Sequence, residues 1–365
     1  MDQSGERPEY ERIDMNNRGE GAVQTAFANQ VAYCRHAGAG VTARVVGAIG
    51  AVLRSDAGGA VVERIRHWPG APLADALPLR IAGGVHALHL AGAAPELAPI
   101  YRDQPADDAR VIAAVLRGHE EALLPWLDGP PQTNEAGRSA NFIAAMLWLA
   151  GQGLPPRFHC LEIGSSAGIN LMLDRYRYDL GGVTVGPEAA VMRFEPAWSG
   201  APPPRRDIAI AGTRGCDVAP VDLTDPAQAL RLKAYVWPEH GERFDRLEAA
   251  IAAAAERRPD LVRMNAADFV EAELARPQES GTTRMLMHSI VWQYVPADQQ
   301  DRVRAAMVAA GVRATAERPL AWISVEADRT VHRHMLKARF WPGGGDEVHL
   351  AWSHPHGADI AWLAG

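Results

Sequence analysis

Cysteine is scarce in this chain. Its 365 residues include three, Cys34, Cys160 and Cys216, far apart and odd in number. That argues against a disulfide framework or a cysteine-based zinc site and fits a reducing compartment. Long hydrophobic runs are also missing: no window approaches about 18 uninterrupted apolar residues, so no membrane span is expected. Basic charge is not in excess either. The 37 Lys and Arg against 44 Asp and Glu give a net charge of −7, which offers no support for nucleic-acid binding by broad phosphate neutralisation. The stretch "MDQSGERPEYERIDMNNRGEG" lacks the apolar core of a signal peptide. A cytoplasmic protein acting on a small molecule, with neither nucleic acid nor membrane as partner, is expected.

Hydrophobic residues make up 47% of the chain and charged residues 22%, an ordinary globular balance at a length suited to two packed units. Residues 1–20 read as a flexible tail. Residues 21–150 read as a helical cap, because "FANQVAYCRHAGAGVTARVVGAIGAVL", "LRIAGGVHALHLAG", "ARVIAAVLRGHEEALLPWL" and "RSANFIAAMLWLAGQ" space apolar residues by three and four. Pro155-Pro156 closes that regime. Over residues 151–365 strand-like runs ("RFHCLEI", "DIAIAG", "DLVRMNA", "RMLMHSIVWQYV", "PLAWISVEA") alternate with helical ones. This pattern predicts an α/β fold with a mainly parallel sheet. "YRYDLGGVTVG" predicts a hairpin around Gly181-Gly182, and "HMLKARFWPGGGDEVHLAWSH" predicts a C-terminal antiparallel hairpin.

The chemistry concentrates in "LEIGSSAGIN", residues 161–170. As G-x-S-x-G it is a nucleophile elbow with Ser166 attacking, and Asp328 and His354 complete the Ser…Asp…His order of an α/β-type serine hydrolase. As E-x-G-x-x-x-G it is a strand running into a glycine turn and a helix, whose backbone N–H groups face a ligand. The middle glycine of a dinucleotide fingerprint and the G-K-[ST] of a phosphate loop are both missing. An acid two residues before the first glycine suits a ligand carrying an ammonium group. A hydrolase builds several strands before its elbow, whereas the chain before residue 157 is helical, so the cofactor reading is preferred.

"LEIGSSAGIN" resembles the first motif of class I S-adenosylmethionine-dependent methyltransferases. Together with "QTNEAGRSA", "LMLDRYRYDLGG", "RGCDVAPVDLTDPAQALRLKAYVWPE", "HSIVWQYVP" and "RFWPGG", the chain also resembles the bacterial domain-of-unknown-function family number 2332. The resemblance implies a Rossmann-like sheet below the helical N-terminal cap domain, with S-adenosyl-L-methionine as cofactor and methyl transfer to a small molecule as activity. Other uses of the same cofactor are aminopropyl transfer and cleavage or cyclisation of the cofactor; a non-catalytic binding module is a further alternative. It implies Glu162, Gly164, Ser165, Ser166, Ala167 and Gly168 at the methionine part. Asp217, with Glu195 of "RFEP" as rival, would hold the ribose, and Asn265, Ala266 and Asp268 the adenine. His288 and Ser289 would lie beside the transferred methyl.

Each of these residues also has a plain structural reading. Asp217 and Asp268 suit helix starts. A histidine in an apolar strand, such as His288, is usually a hydrogen-bonded core residue; its other use, alongside Tyr294, is as a catalytic group. Trp292 is either a substrate wall or sheet packing. In "QTNEAGRSA", Thr133 or Asn134 suits a helix cap, while Asn134, Arg138 and, further on, Tyr176 suit substrate contact. His332, His334, His349, His354 and His356 lack metal-ligand spacing, so no metal is expected.

Overall fold

The computed structural model describes residues 14, 16–19, 21–328, 331 and 333–364. The tail expected over residues 1–20 therefore lies almost wholly outside the described residues, as does His332. The strands are β1 (Arg157–Ile163), β2 (Tyr176–Asp179), β3 (Thr184–Val185), β4 (Met192–Phe194), β5 (Ala197–Ser199), β6 (Ala209–Asp217), β7 (Leu261–Arg263), β8 (Thr283–Ser289), β9 (Leu320–Asp328), β10 (Arg333–Trp341), β11 (Val348–Ser353) and β12 (Asp359–Trp362). Nine of them form one sheet in the order β5-β12-β11-β10-β9-β8-β1-β6-β7, and β2–β4 form a small second sheet.

The run β7-β6-β1-β8-β9 is parallel throughout. Numbered along the chain it reads 3-2-1-4-5, the doubly wound order, which reverses direction between β1 and β8. The expected hairpin is present and larger: β9 to β12 make an antiparallel meander. The α/β class, mainly parallel sheet and N-terminal helical region are thus as the alternating sequence pattern requires.

The described chain forms two compact units, residues up to 133 with 226–245, and residues 134–225 with 246–364. The first unit is helical. Helices Ala22–His36, Gly40–Arg54 and Leu77–Leu90 bury Phe27, Val46, Ile49 and Ile81, joined by Leu97, Ile100 and Leu116. Two glycines inside helix Leu77–Leu90 serve packing. A Cβ on Gly83 would stand 2.6 Å from the Tyr235 ring, and one on Gly84 would stand 2.9 Å from Leu123 and Trp126.

The expected division at residue 150 is displaced to 133. Helix Ser139–Gly151 belongs to the sheet unit because it is apolar on every side and buried from Ser139 to Ala150. Trp148 packs edge-on against Phe340 of β10, and the Tyr178 hydroxyl lies 3.0 Å from Ser139 Oγ. On the other face of the sheet, helices Ala266–Ala275 and Ala297–Val312 cover Leu161, Ile163, Leu286 and Leu320 through Phe269, Val303 and Met307.

Two sequence expectations change here. The expected helix after Gly168 is a 3₁₀ segment, Ile169–Arg175, kinked at Met172. The Ile169 carbonyl accepts from the Tyr176 hydroxyl at 2.9 Å, a partner from outside the helical ladder. The strand expected through "IVWQYV" stops at Ser289, because Ile290 takes a left-handed φ of 53° and the chain turns into a 3₁₀ segment at Trp292–Tyr294.

Candidate functional site

The glycine turn stands where β1 ends, next to the point at which strand order reverses, the usual place for a ligand in such sheets. Gly164, Ser166 and Gly168 have φ of 67°, 52° and 72°, so the turn needs left-handed backbone at three of five positions. Neighbouring segments fix it. Ser165 N donates to the Cys216 carbonyl at 3.0 Å, and Gly168 N to the Ser165 carbonyl at 2.7 Å. Ser166 N donates to Asp217 Oδ2 at 2.8 Å, and Ile169 N to Asn134 Oδ1 at 2.9 Å.

Three amides that were expected to face a ligand, those of Ser165, Ser166 and Gly168, are therefore bonded within the protein. The glycines, too, give room to the chain itself. A Cβ on Gly164 would lie 2.2 Å from Val291 Cγ2, and one on Gly168 would lie 2.7 Å from Pro259 Cβ. The turn thus differs in part from a ligand-facing backbone cradle: the N–H groups of Ser165, Ser166 and Gly168 bond within the protein, and Gly164 and Gly168 face Val291 and Pro259.

The side chain of Glu162 behaves differently. It is only 2% exposed; Oε1 accepts from the Asn170 amide at 3.3 Å. Oε2 is buried with no hydrogen-bond partner among the described residues, and so are Asn170 Oδ1 and Ser166 Oγ. Burial pushes the Glu162 carboxyl up to about 7, against the pull of the Asn170 amide, the Ser165 hydroxyl and the nearby Arg138 charge. An acceptor left unsatisfied in the interior costs about 1–3 kcal/mol. Glu162 Oε2 and Asn170 Oδ1 are two such acceptors, on side chains that are hydrogen-bonded to each other. Asn170 was missed in the sequence, where it is one amide in the apolar run "INLML".

The other predicted residues separate into groups. Asn134 and Asp217 reach the turn. Asp217 braces it, with Oδ1 accepting from Ala219 N at 2.8 Å while Oδ2 holds Ser166. Its rival Glu195 is exposed and follows β4 of the small sheet, so Asp217 alone stands at the end of the strand beside β1. Arg138 is buried and donates to the Pro355 carbonyl at 2.8 Å. Tyr176 is fully buried, bonded to Ile169 and packed on Phe194; this makes it a core residue in place of the expected substrate contact. Asn265 caps helix Ala266–Ala275 by accepting from Asp268 N, Ala266 is buried in that helix, and Asp268 is exposed and paired with Arg302.

His288 does not join Glu162. In the β1–β8 register Glu162 is opposite Met287 and Leu161 is opposite Leu286. Since side chains alternate, His288 emerges on the face of Leu161, away from Glu162. There its Nδ1 lies 2.7 Å from Glu326 Oε1, and its ring stacks on Trp292 at 5.1 Å. The same Glu326 oxygen accepts from the amides of Val291 and Trp292, each at 3.2 Å. Glu326 went unnoticed in the sequence, although it alternates with Trp322 and Ser324 along β9. Tyr294 is 67% exposed on the 3₁₀ turn, outside the group formed by His288 and Glu326.

Cys34, Cys160 and Cys216 are buried and free. Among the described residues no group of three or more His, Cys, Asp or Glu could hold a metal ion, and no helix is long and apolar enough to cross a membrane.

The sheet order and the glycine turn after its first strand define a Rossmann-like α/β protein. Residues 24–362 match the family described as an uncharacterized protein conserved in bacteria (DUF2332), and the chain belongs to that family. No curated protein and no solved structure matches it.

Proposed function

We propose that this protein is an S-adenosylmethionine-dependent transferase that methylates a small molecule. The observation that carries the reading is Glu162: a buried carboxylate after which the first strand enters a glycine turn, with one oxygen lacking a donor. The methionine part of the cofactor ends in an ammonium group, which supplies the donors that Glu162 Oε2 and Asn170 Oδ1 lack. Bound, the cofactor offers an electrophilic methyl carbon on a positively charged sulfur. The part of this chain is to hold that group in line with an acceptor, which accounts for a large share of such rate enhancements. Asp217 keeps the turn in place. His288, on the opposite face, takes no part in this reading. Aminopropyl transfer, cofactor cleavage or cyclisation, and binding without chemistry use the same anchor and are separated by the products formed from labelled cofactor.

One observation favours a second reading. Ser166 has the left-handed backbone of a nucleophile elbow. Its Oγ nevertheless has no hydrogen-bond partner among the described residues, whereas an activated serine requires a base within reach. Two treatments decide between them. Under the transferase reading S-adenosylmethionine raises the melting temperature, and a fluorophosphonate leaves Ser166 unlabelled. Labelling that Ser166→Ala abolishes, with no thermal shift by the cofactor, would establish the hydrolase.

A further inference from the structure

The sheet face opposite Glu162 carries a cavity of about 280 Å³ that the proposed transferase chemistry leaves unused. Its walls are aromatic and cationic. His288 stacks on Trp292 at 23° between ring planes, and Trp322 meets Trp292 edge-on at 5.6 Å. Lys337 and Arg339 are opposite Ser324 and Trp322 in the β9–β10 register, so all four project to one side. Arg304 stands 5.2 Å over the Trp292 ring and Arg339 stands 5.9 Å over that of Trp322.

Three cationic side chains, Arg304, Lys337 and Arg339, line the cavity together with two carboxylates, Glu326 and Glu347. Lys337 and Arg339 share the single carboxylate of Glu347, at 2.9 and 3.3 Å. Arg304 pairs outside the cavity with Asp301, and Glu326 is occupied by His288 and the two turn amides. Two polar atoms of the lining residues, Trp322 Nε1 and His288 Nε2, are buried without partners among the described residues. An indole N–H can only donate, so Trp322 calls for an acceptor.

We infer that this cavity binds a small planar anion, an aromatic carboxylate, with its ring against Trp292 and Trp322 and its oxygens taken by Arg339 and the Trp322 N–H. The volume lies just below the usual range for ligand pockets, about 300–1,000 Å³, and so suits a one-ring ligand. Flat faces and guanidinium groups over indoles favour a planar partner. Since this site is on the other face from Glu162, it stands whether or not the transferase reading does.

The test uses the full chain without cofactor. Benzoate is titrated while tryptophan fluorescence and the Trp322 indole N–H resonance are followed, with benzamide as the uncharged control. Saturable quenching with a shift of that resonance is expected, with benzamide weaker by about tenfold or more. Trp322→Phe and Arg339→Gln should each weaken benzoate by about tenfold in proteins that remain folded. If either variant fails to fold, Arg339→Lys, which keeps the charge and loses the planar fork, replaces it, with benzoate again weakened relative to the wild type. Absence of saturation, equal binding of benzamide, or undiminished benzoate affinity in the folded variants overturns the inference.

Discussion

Replacing Glu162 by Gln keeps the shape of the side chain and removes its titration. In the folded protein burial holds this carboxyl at about 7, against its ordinary 4.5. The folded state therefore grips the proton more tightly than the unfolded chain. The stability this confers is fully present below the ordinary value and is lost as pH rises through about 7. A carboxyl moved that far corresponds to about 3 kcal/mol. Urea unfolding of both proteins between about pH 4.5 and pH 8 should show the wild type losing about 3 kcal/mol relative to Glu162→Gln. A cationic ligand reverses the preference, since it binds the carboxylate. Its affinity for the wild type should rise with pH up to about 7, by at most about tenfold per pH unit. Parallel stability curves for the two proteins would place the Glu162 carboxyl at its ordinary value and contradict its burial-raised titration.

Three further substitutions test the frame around the turn. Gly164→Ala puts a Cβ 2.2 Å from Val291 at a φ of 67°; it should cost more than about 2 kcal/mol in urea unfolding. Asp217→Ala removes the carboxylate to which the Ser166 and Ala219 amides donate and should cost about 2–3 kcal/mol, with faster hydrogen exchange at Ser166. Glu326→Ala strips the shared acceptor from His288, Val291 and Trp292. It should cost about 2–4 kcal/mol and raise exchange at Val291 and Trp292, while exchange at Ser166 stays unchanged.

Much of the fold was legible because its signals are local. β1 has the bounds of the "RFHCLEI" run, the Gly181-Gly182 hairpin pairs β2 with β3, and the Pro-Gly-rich turn joins β10 to β11. Where reading failed, a long-range partner decided. Glu326 lies more than thirty residues from the turn amides it captures, so nothing in "HSIVWQYV" marks the end of β8. The unit boundary at residue 133 follows from burial of helix Ser139–Gly151 on all sides, which periodicity cannot assign to one neighbour or another. The site was legible in its centre, Glu162 and the glycines. The separation of Glu162 from His288 was not, because it depends on strand register, and register is set by pairings that no single segment contains. The glycines themselves were read for the right property and the wrong neighbour: the close approach they permit is by Val291 and Pro259.

Calorimetric titration of the wild type and of Glu162→Gln with S-adenosylmethionine, near neutral pH, tests the central claim most directly. Saturable binding to the wild type is expected, with a loss of about tenfold or more in the variant, the cost of withdrawing a charged acceptor from an ammonium group. Absence of binding to the wild type, or equal binding to both proteins, would contradict it.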